Sequence, residues 1–184
     1  FQRVVSAMTD RLAATPVPVQ IPYGEGPATN DNGFTGVIDL MLMKVVFWDA
    51  ESRGAEYRVE EIPESHREDA ELMRAELLDA LADVDEEVME LLLEESSVPP
   101  ELVTRALRTG TIEGAFQPVF CGSSLDYIGV QPVLDAVADL LPSPLDRPPV
   151  EGVDPSPKSE GAVITRKATV NEPVSALVFK IQTE

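Results

Sequence analysis

Between Pro118 and Gln131 the chain passes from an apolar run, Val119, Phe120 and Cys121, through Gly122, Ser123 and Ser124 into an amphipathic pattern that begins near Gly129. A short apolar run, then small residues, then a 3.6-residue repeat describes a buried strand feeding a loop and a helix. That order places this part of the chain in an open α/β sheet. At the carboxyl end of such a strand, a loop of small residues lets backbone N–H groups come close to a ligand. Strand, Gly-Ser and helix occur in many α/β proteins, so the signal alone does not name the ligand.

The segments before it read differently. Phe1, Val4, Val5, Met8 and Leu12 are spaced along one face of a helix over residues 1–14, which Thr15-Pro16 stops. Val17 to Tyr23 alternates apolar residues but contains Pro18 and Pro22, the pattern of a strand near an edge or of one pairing only in part. Residues 24–33, rich in Gly, Asn and Asp, form a loop without a nucleotide motif. Phe34–Leu40, Met41–Trp48 and Gly54–Ile62 follow as strand-like runs joined by polar turns, the signature of an antiparallel sheet. Trp48 is expected to pack on that sheet rather than to anchor a partner.

Residues 64–95 hold thirteen Asp and Glu against two Arg. Ala70, Met73, Leu77, Leu81 and Val84 still fall on one side of a helix, so a core-facing stripe survives the charge. Glu68, Glu71, Asp79 and Asp83 project on roughly the opposite side, with Leu72 and Ala75 between them. Asp83 or Asp85 is placed to cap a second helical segment through Val88 and Leu92, where early acids suit the helix dipole. Val98-Pro99-Pro100 precedes a third helix, Glu101 to Arg108, with Pro100 in its first turn and Gly110 as its stop. Thr111 to Gln117 leads back to the strand at Val119. After the loop, Val130, Val133, Leu134, Val137, Leu140 and Leu141 form one apolar helix face, ended by Pro142-Ser143-Pro144. Residues 145–161 have the composition of an extended linker. A new strand-like pattern starts at Ala162.

Composition narrows the chemistry. A formal charge of −19 repels phosphate backbones, so no direct nucleic-acid binding is expected and a basic protein is the better electrostatic match. Cys121 is the single cysteine, which excludes an internal disulfide and fits a reducing cytosol. His66, the single histidine, is expected to be solvated, and no nucleophile, base and acid fall into a catalytic constellation. No apolar run approaches the roughly 18 residues that span a membrane. The start at Phe1, without an initiator Met or signal pattern, reads as a soluble internal fragment.

The continuation from Gly129 through Val130-Gln-Pro-Val-Leu-Asp-Ala-Val-Ala-Asp-Leu-Leu-Pro-Ser-Pro-Leu-Asp-Arg-Pro-Pro149 resembles bacterial elongation factor G, a translational GTPase. Pro16-Val-Pro-Val-Gln-Ile-Pro22 and Phe34-Thr-Gly-Val-Ile-Asp-Leu40 resemble its inserted subdomain, G-prime, and Glu172–Ile181 resembles the start of its second domain. The resemblance implies a mixed α+β and α/β fold: the end of a P-loop GTPase sheet, an insertion of antiparallel strands and acidic helices, and the first strand of a β-barrel. The boundaries would be 1–144 for the GTPase part, with the insertion at about 17–115, a linker at 145–161 and an incomplete barrel at 162–184, its tail poorly ordered or paired with an available edge.

Cys121-Gly122-Ser123-Ser124 stands where the family has the Cys-Gly-Ser-Ala loop, its fifth guanine-nucleotide motif. By resemblance the backbone N–H groups of Ser123, Ser124 and Leu125 contact the guanine oxygen. Ser124 replaces the usual Ala, and Asp126-Tyr127-Ile128 departs from a more polar, Lys-containing version. In the family, G-prime receives the basic C-terminal domain of the ribosomal stalk protein, and Glu68, Glu71, Leu72, Asp79 and Asp83 would contribute to that surface. The implied parent binds GTP or GDP with Mg²⁺ and acts on the ribosome in the cytoplasm, as a monomer. This chain contains no G-x-x-x-x-G-K-[ST], no switch-region His and no Asn-Lys-x-Asp, so on its own it is expected to be inactive and to hold no nucleotide or metal. The alternatives are a non-catalytic acidic interaction module, or a paralogous ribosome-recycling or release-factor-like GTPase.

Overall fold

The computed structural model describes residues 1–27, 30, 32–49, 51–154, 161–176 and 178–181. The chain divides into two compact units, Phe1–Leu141 and Pro142–Glu184.

In the first unit, helix α1 (Gln2–Leu12) leads to strand β1 (Pro16–Pro18), which pairs in parallel with β6 (Gln117–Val119). Between those two short strands the chain builds an antiparallel sheet in the order β2 (Gln20–Tyr23), β3 (Gly36–Asp39), β4 (Lys44–Trp48), β5 (Tyr57–Glu60). It then builds three helices, α2 (Glu64–Ala82), α3 (Glu86–Leu93) and α4 (Pro100–Glu113). After β6 and the small-residue loop comes α5 (Val130–Leu140).

The run from Val17 to Tyr23 is therefore not one strand. It changes sheets at Val19, whose N–H donates to the Val119 carbonyl while its own carbonyl accepts from the Leu40 N–H. Pro18 and Pro22 lack the N–H that a continuous central strand would need.

Strand register explains how the sheet is covered. Ile21, Ile38 and Val45 stand side by side on one face and pack with Ala70, Met73, Leu77 and Leu81 of α2 and Val103 and Leu107 of α4. Val37, Val46 and Trp48 stand on the other and pack with Ile128. The expected α2 stripe is buried as read, with Val84 half-buried at its end. Trp48 is 8% exposed and has the packing role expected of it. Burying side chains of this size stabilises by about 1.5–3 kcal/mol each, which lets so acidic a helix dock.

Several expectations are corrected. Gly110 does not stop α4 but lies buried within it, and the helix continues to Glu113 with Gly114 in the left-handed conformation at its end. The reason is packing. A Cβ on Gly110 would stand 2.3 Å from the Phe116 ring, so the glycine admits the aromatic side chain rather than breaking the helix. Of the two candidate caps, Asp85 caps α3, accepting from the N–H groups of Glu87 (3.1 Å) and Val88 (3.4 Å). His66 is half-buried, its ring centroid 4.6 Å from that of Tyr23, and not simply solvated. Val119, Phe120 and Cys121 are partly rather than fully buried, because among the described residues one strand flanks β6. On α5 only Leu140 is buried, while Val130, Val133, Leu134 and Val137 remain exposed, as do Val4 and Leu12 of α1.

In the second unit a 3₁₀ turn (Pro144–Asp146), capped by Ser143, precedes a hairpin of β7 (Val150–Val153) and β8 (Val163–Arg166). The expected linker thus contributes a strand. The strand pattern after Ala162 is confirmed in β8, whereas the described residues of 172–181 are not in a strand. Among the described residues no helix is long and apolar enough to cross a membrane.

Candidate functional site

The loop after β6 is closed by its own backbone. Ser123 and Ile128 exchange both N–H to carbonyl hydrogen bonds at 2.9 Å, leaving a four-residue tip from Ser124 to Tyr127. Its two limbs approach so closely that a Cβ on Gly122 would stand 2.8 Å from the Ile128 carbonyl oxygen, and one on Gly129 2.8 Å from that of Cys121. Gly129 and Tyr127 take positive φ, 76° and 59°. The Ser123 hydroxyl donates to the Asp126 carboxylate at 2.6 Å, which fixes the tip from inside.

This geometry separates the three predicted N–H positions. The Ser123 N–H is spent on Ile128, whereas those of Ser124 and Leu125 have no acceptor among the described residues. Both residues are exposed, Leu125 at 86%. Two successive free N–H groups on an exposed tip can donate to one carbonyl or oxyanion oxygen. Cys121, at the base of the loop, takes no part in such chemistry: burial pushes its thiol up to about 12, so it stays a neutral packing group at physiological pH.

The second candidate surface lies on α2. Glu68, Glu71, Asp79 and Asp83 are exposed and form no ion pair among the described residues, and Leu72, 61% exposed, sits among them. Asp79 and Asp83 stand at the carboxyl end of the helix, where no basic residue accompanies them. Negative charge there opposes the helix macrodipole, so these acids do not stabilise α2. The loop and the helix are separate sites on one unit, and no residue is shared between them. Among the described residues no group of acidic, His and Cys side chains is arranged to hold a metal ion.

Sequence reading missed the residue that positions α2. Arg74 donates to the carbonyls of Leu40, Met41 (2.8 Å) and Val98 (3.2 Å), tying the helix to the β3–β4 turn and to the segment before α4. Its place beside Met73, on the margin of the buried stripe, was the available signal. Arg105 makes a comparable clamp at the surface, pairing with Asp85 and Glu87 at the start of α3.

No family model matches the chain. Its whole length aligns at 45% identity with elongation factor G of Thermotoga maritima and of Thermotoga petrophila, covering 25% of each. The chain is similar along its whole length to a segment of elongation factor G. With elongation factor G 2 of Syntrophus aciditrophicus it is 43% identical over 181 residues, 26% of that protein. The crystal structure of a protein from Thermus thermophilus superposes with a TM-score of 0.64 and 28% identity over 83% of this chain and 22% of that one. The chain thus spans about a quarter of the length of the elongation factor G relatives it matches. Alignment over all 184 residues takes in the tip at Ser124, the acidic helix and the hairpin unit together.

Proposed function

We propose that the chain is the part of a translational GTPase that carries the guanine-contacting loop and a ribosome-recruiting surface. The observation that carries this reading is the 45% identity to elongation factor G along the entire chain. The parent would bind GTP or GDP with Mg²⁺, hydrolyse GTP on the ribosome and drive movement of tRNA and mRNA. Ser123, Ser124 and Leu125 form the guanine loop, in which the free N–H groups of Ser124 and Leu125 suit the guanine oxygen and Ser123 holds the tip closed. The residues present fit the base end of the nucleotide. Phosphates and Mg²⁺ belong to a phosphate loop that this sequence does not contain, so the isolated chain turns over no GTP.

Residues about 17–115, leaving within β1 and returning just before β6, constitute the G-prime insertion, and residues 162–184 begin the second domain. Glu68, Glu71, Leu72, Asp79 and Asp83 dock the basic C-terminal domain of the ribosomal stalk protein. Unpaired acids around one exposed leucine provide a steering field and a small apolar centre, a combination that speeds encounter more than it tightens the final complex. Titration of that stalk domain against the chain tests the assignment. Binding should weaken at least about tenfold, and lose most of its salt dependence, when the four acids are changed to Lys. Unaltered affinity and salt dependence would remove this surface from the reading.

A further inference from the structure

The second face of the antiparallel sheet is incompletely covered. Beyond Trp48 it continues onto β5, where Tyr57 and Val59 are 57% and 53% exposed although both stand on the apolar side in register with Trp48 and Val46. Helix α5 runs past this face and leaves a cleft of about 270 Å³, just under the roughly 300 Å³ at which small-ligand sites begin. It is lined by Val46, Trp48 and Val59 of the sheet and by Leu140 of α5. The indole N–H is satisfied by Gln131 at 2.9 Å.

The rim carries charge of one sign. Asp135 and Asp139 lie one turn apart on α5, line the cleft and make no ion pair among the described residues. Like charges four residues apart on a helix repel; no Lys or Arg lines the cleft, and the neighbouring guanidinium of Arg108 donates to the Asp139 and Leu141 carbonyls (2.7 and 3.2 Å). Asp39 lies at the sheet side with its carboxylate taken by the Met41 and Leu42 N–H groups and facing the Arg74 charge, so it offers no free ligand atom.

We infer that this cleft is a binding site for a small amphipathic cation, a ligand with an aromatic or aliphatic body and a single ammonium head. The body covers Trp48 and Val59, and the ammonium lies between Asp135 and Asp139, close to the π faces of Trp48 and Tyr57. The site is separate from both the loop at Ser124 and the acidic face of α2. Its test therefore does not depend on nucleotide or stalk binding.

Trp48 is the only tryptophan, so its emission reports the cleft directly. The 184-residue chain would be titrated with phenethylamine, 2-phenylethanol and 3-phenylpropionate, which share a body and differ in charge. The expected result is a saturable change in Trp48 emission, with half-saturation for the amine at least about fivefold below that for the alcohol and the carboxylate weakest. Asp135→Asn with Asp139→Asn should erase the difference between amine and alcohol while the circular dichroism spectrum is retained. Should the double variant lose its helical signal, Asp135→Asn alone carries the same comparison. No saturable response, equal half-saturation for the three compounds, or a preference for the amine that survives the Asn substitutions would overturn the inference.

Discussion

The indole N–H of Trp48 donates to Oε1 of Gln131 at 2.9 Å, and Nε2 of Gln131 donates in turn to the Gly54 carbonyl. One side chain in the first turn of α5 thereby satisfies the end of β4 and the turn before β5. In Gln131→Ala the half-buried indole N–H and the Gly54 carbonyl both lose their partners. The expected cost is about 1–3 kcal/mol, read as a lower urea midpoint with an unchanged slope. An unshifted midpoint would show that water replaces the side chain without loss.

Gly110 and Phe116 form a second such pair. Adding a Cβ at Gly110 forces the Phe116 ring to move, because 2.3 Å is far inside van der Waals contact. Gly110→Ala should destabilise by about 1–3 kcal/mol in spite of the better helix propensity of Ala. Combining it with Phe116→Leu should cost clearly less than the sum of the two single changes, since the clash is removed together with the ring. Simple additivity in denaturant unfolding would rule out this packing explanation.

Asp39 gives a dependence on pH. Its pKa is raised above 3.8, chiefly by burial, against the opposing pull of the Leu42 and Met41 N–H groups and the Arg74 charge. The folded chain then holds this proton more tightly than the unfolded one. Its contribution to stability is fully present below the unfolded value and is lost as pH rises through the folded one. Asp39→Asn keeps an oxygen for the Met41 and Leu42 N–H groups and removes the buried charge. Thermal unfolding at pH 7 should occur at the same or a higher temperature than in the parent chain, with a weaker decline on rising from acid pH. A clear drop at pH 7 would mean that attraction to Arg74 outweighs desolvation.

The Cys121 thiol is pushed up to about 12 by burial, so at pH 8 the folded chain presents almost no thiolate. Ellman's reagent should react with the native chain on the order of 100-fold more slowly than with the chain in denaturant. Above pH 9 the unfolded chain releases a proton that the folded chain retains, so stability falls as pH rises toward 12. Equal rates in the two states would show an accessible thiolate.

Local chemistry made much of this fold legible. The α2 stripe at Ala70, Met73, Leu77 and Leu81 could be read because a helix must bury one face whatever its charge. The antiparallel strands could be read from alternation and turns. Gly110 misled because a glycine late in a helical pattern signals a stop, and only the position of Phe116 reveals that it is a packing site. The break at Val19 depended on pairing with Val119, a hundred residues away, which no local pattern reports. The apolar face of α5 was identified correctly as apolar, yet its exposure depends on which neighbours the chain supplies. At the loop, the small residues were visible in the sequence. Which N–H groups remain free was not, because that depends on the Ser123–Ile128 pairing.

The most direct measurement is nucleotide binding by a chimera in which the corresponding quarter of Thermotoga maritima elongation factor G is replaced by these 184 residues. If this segment supplies the guanine loop of a translational GTPase, the chimera binds fluorescent GDP within about tenfold of the unaltered factor and shows ribosome-stimulated GTP hydrolysis. Shortening the tip by deleting Ser124 and Leu125 abolishes both. A chimera that folds with native-like circular dichroism and thermal stability but binds no GDP, or one indifferent to that deletion, would contradict the assignment.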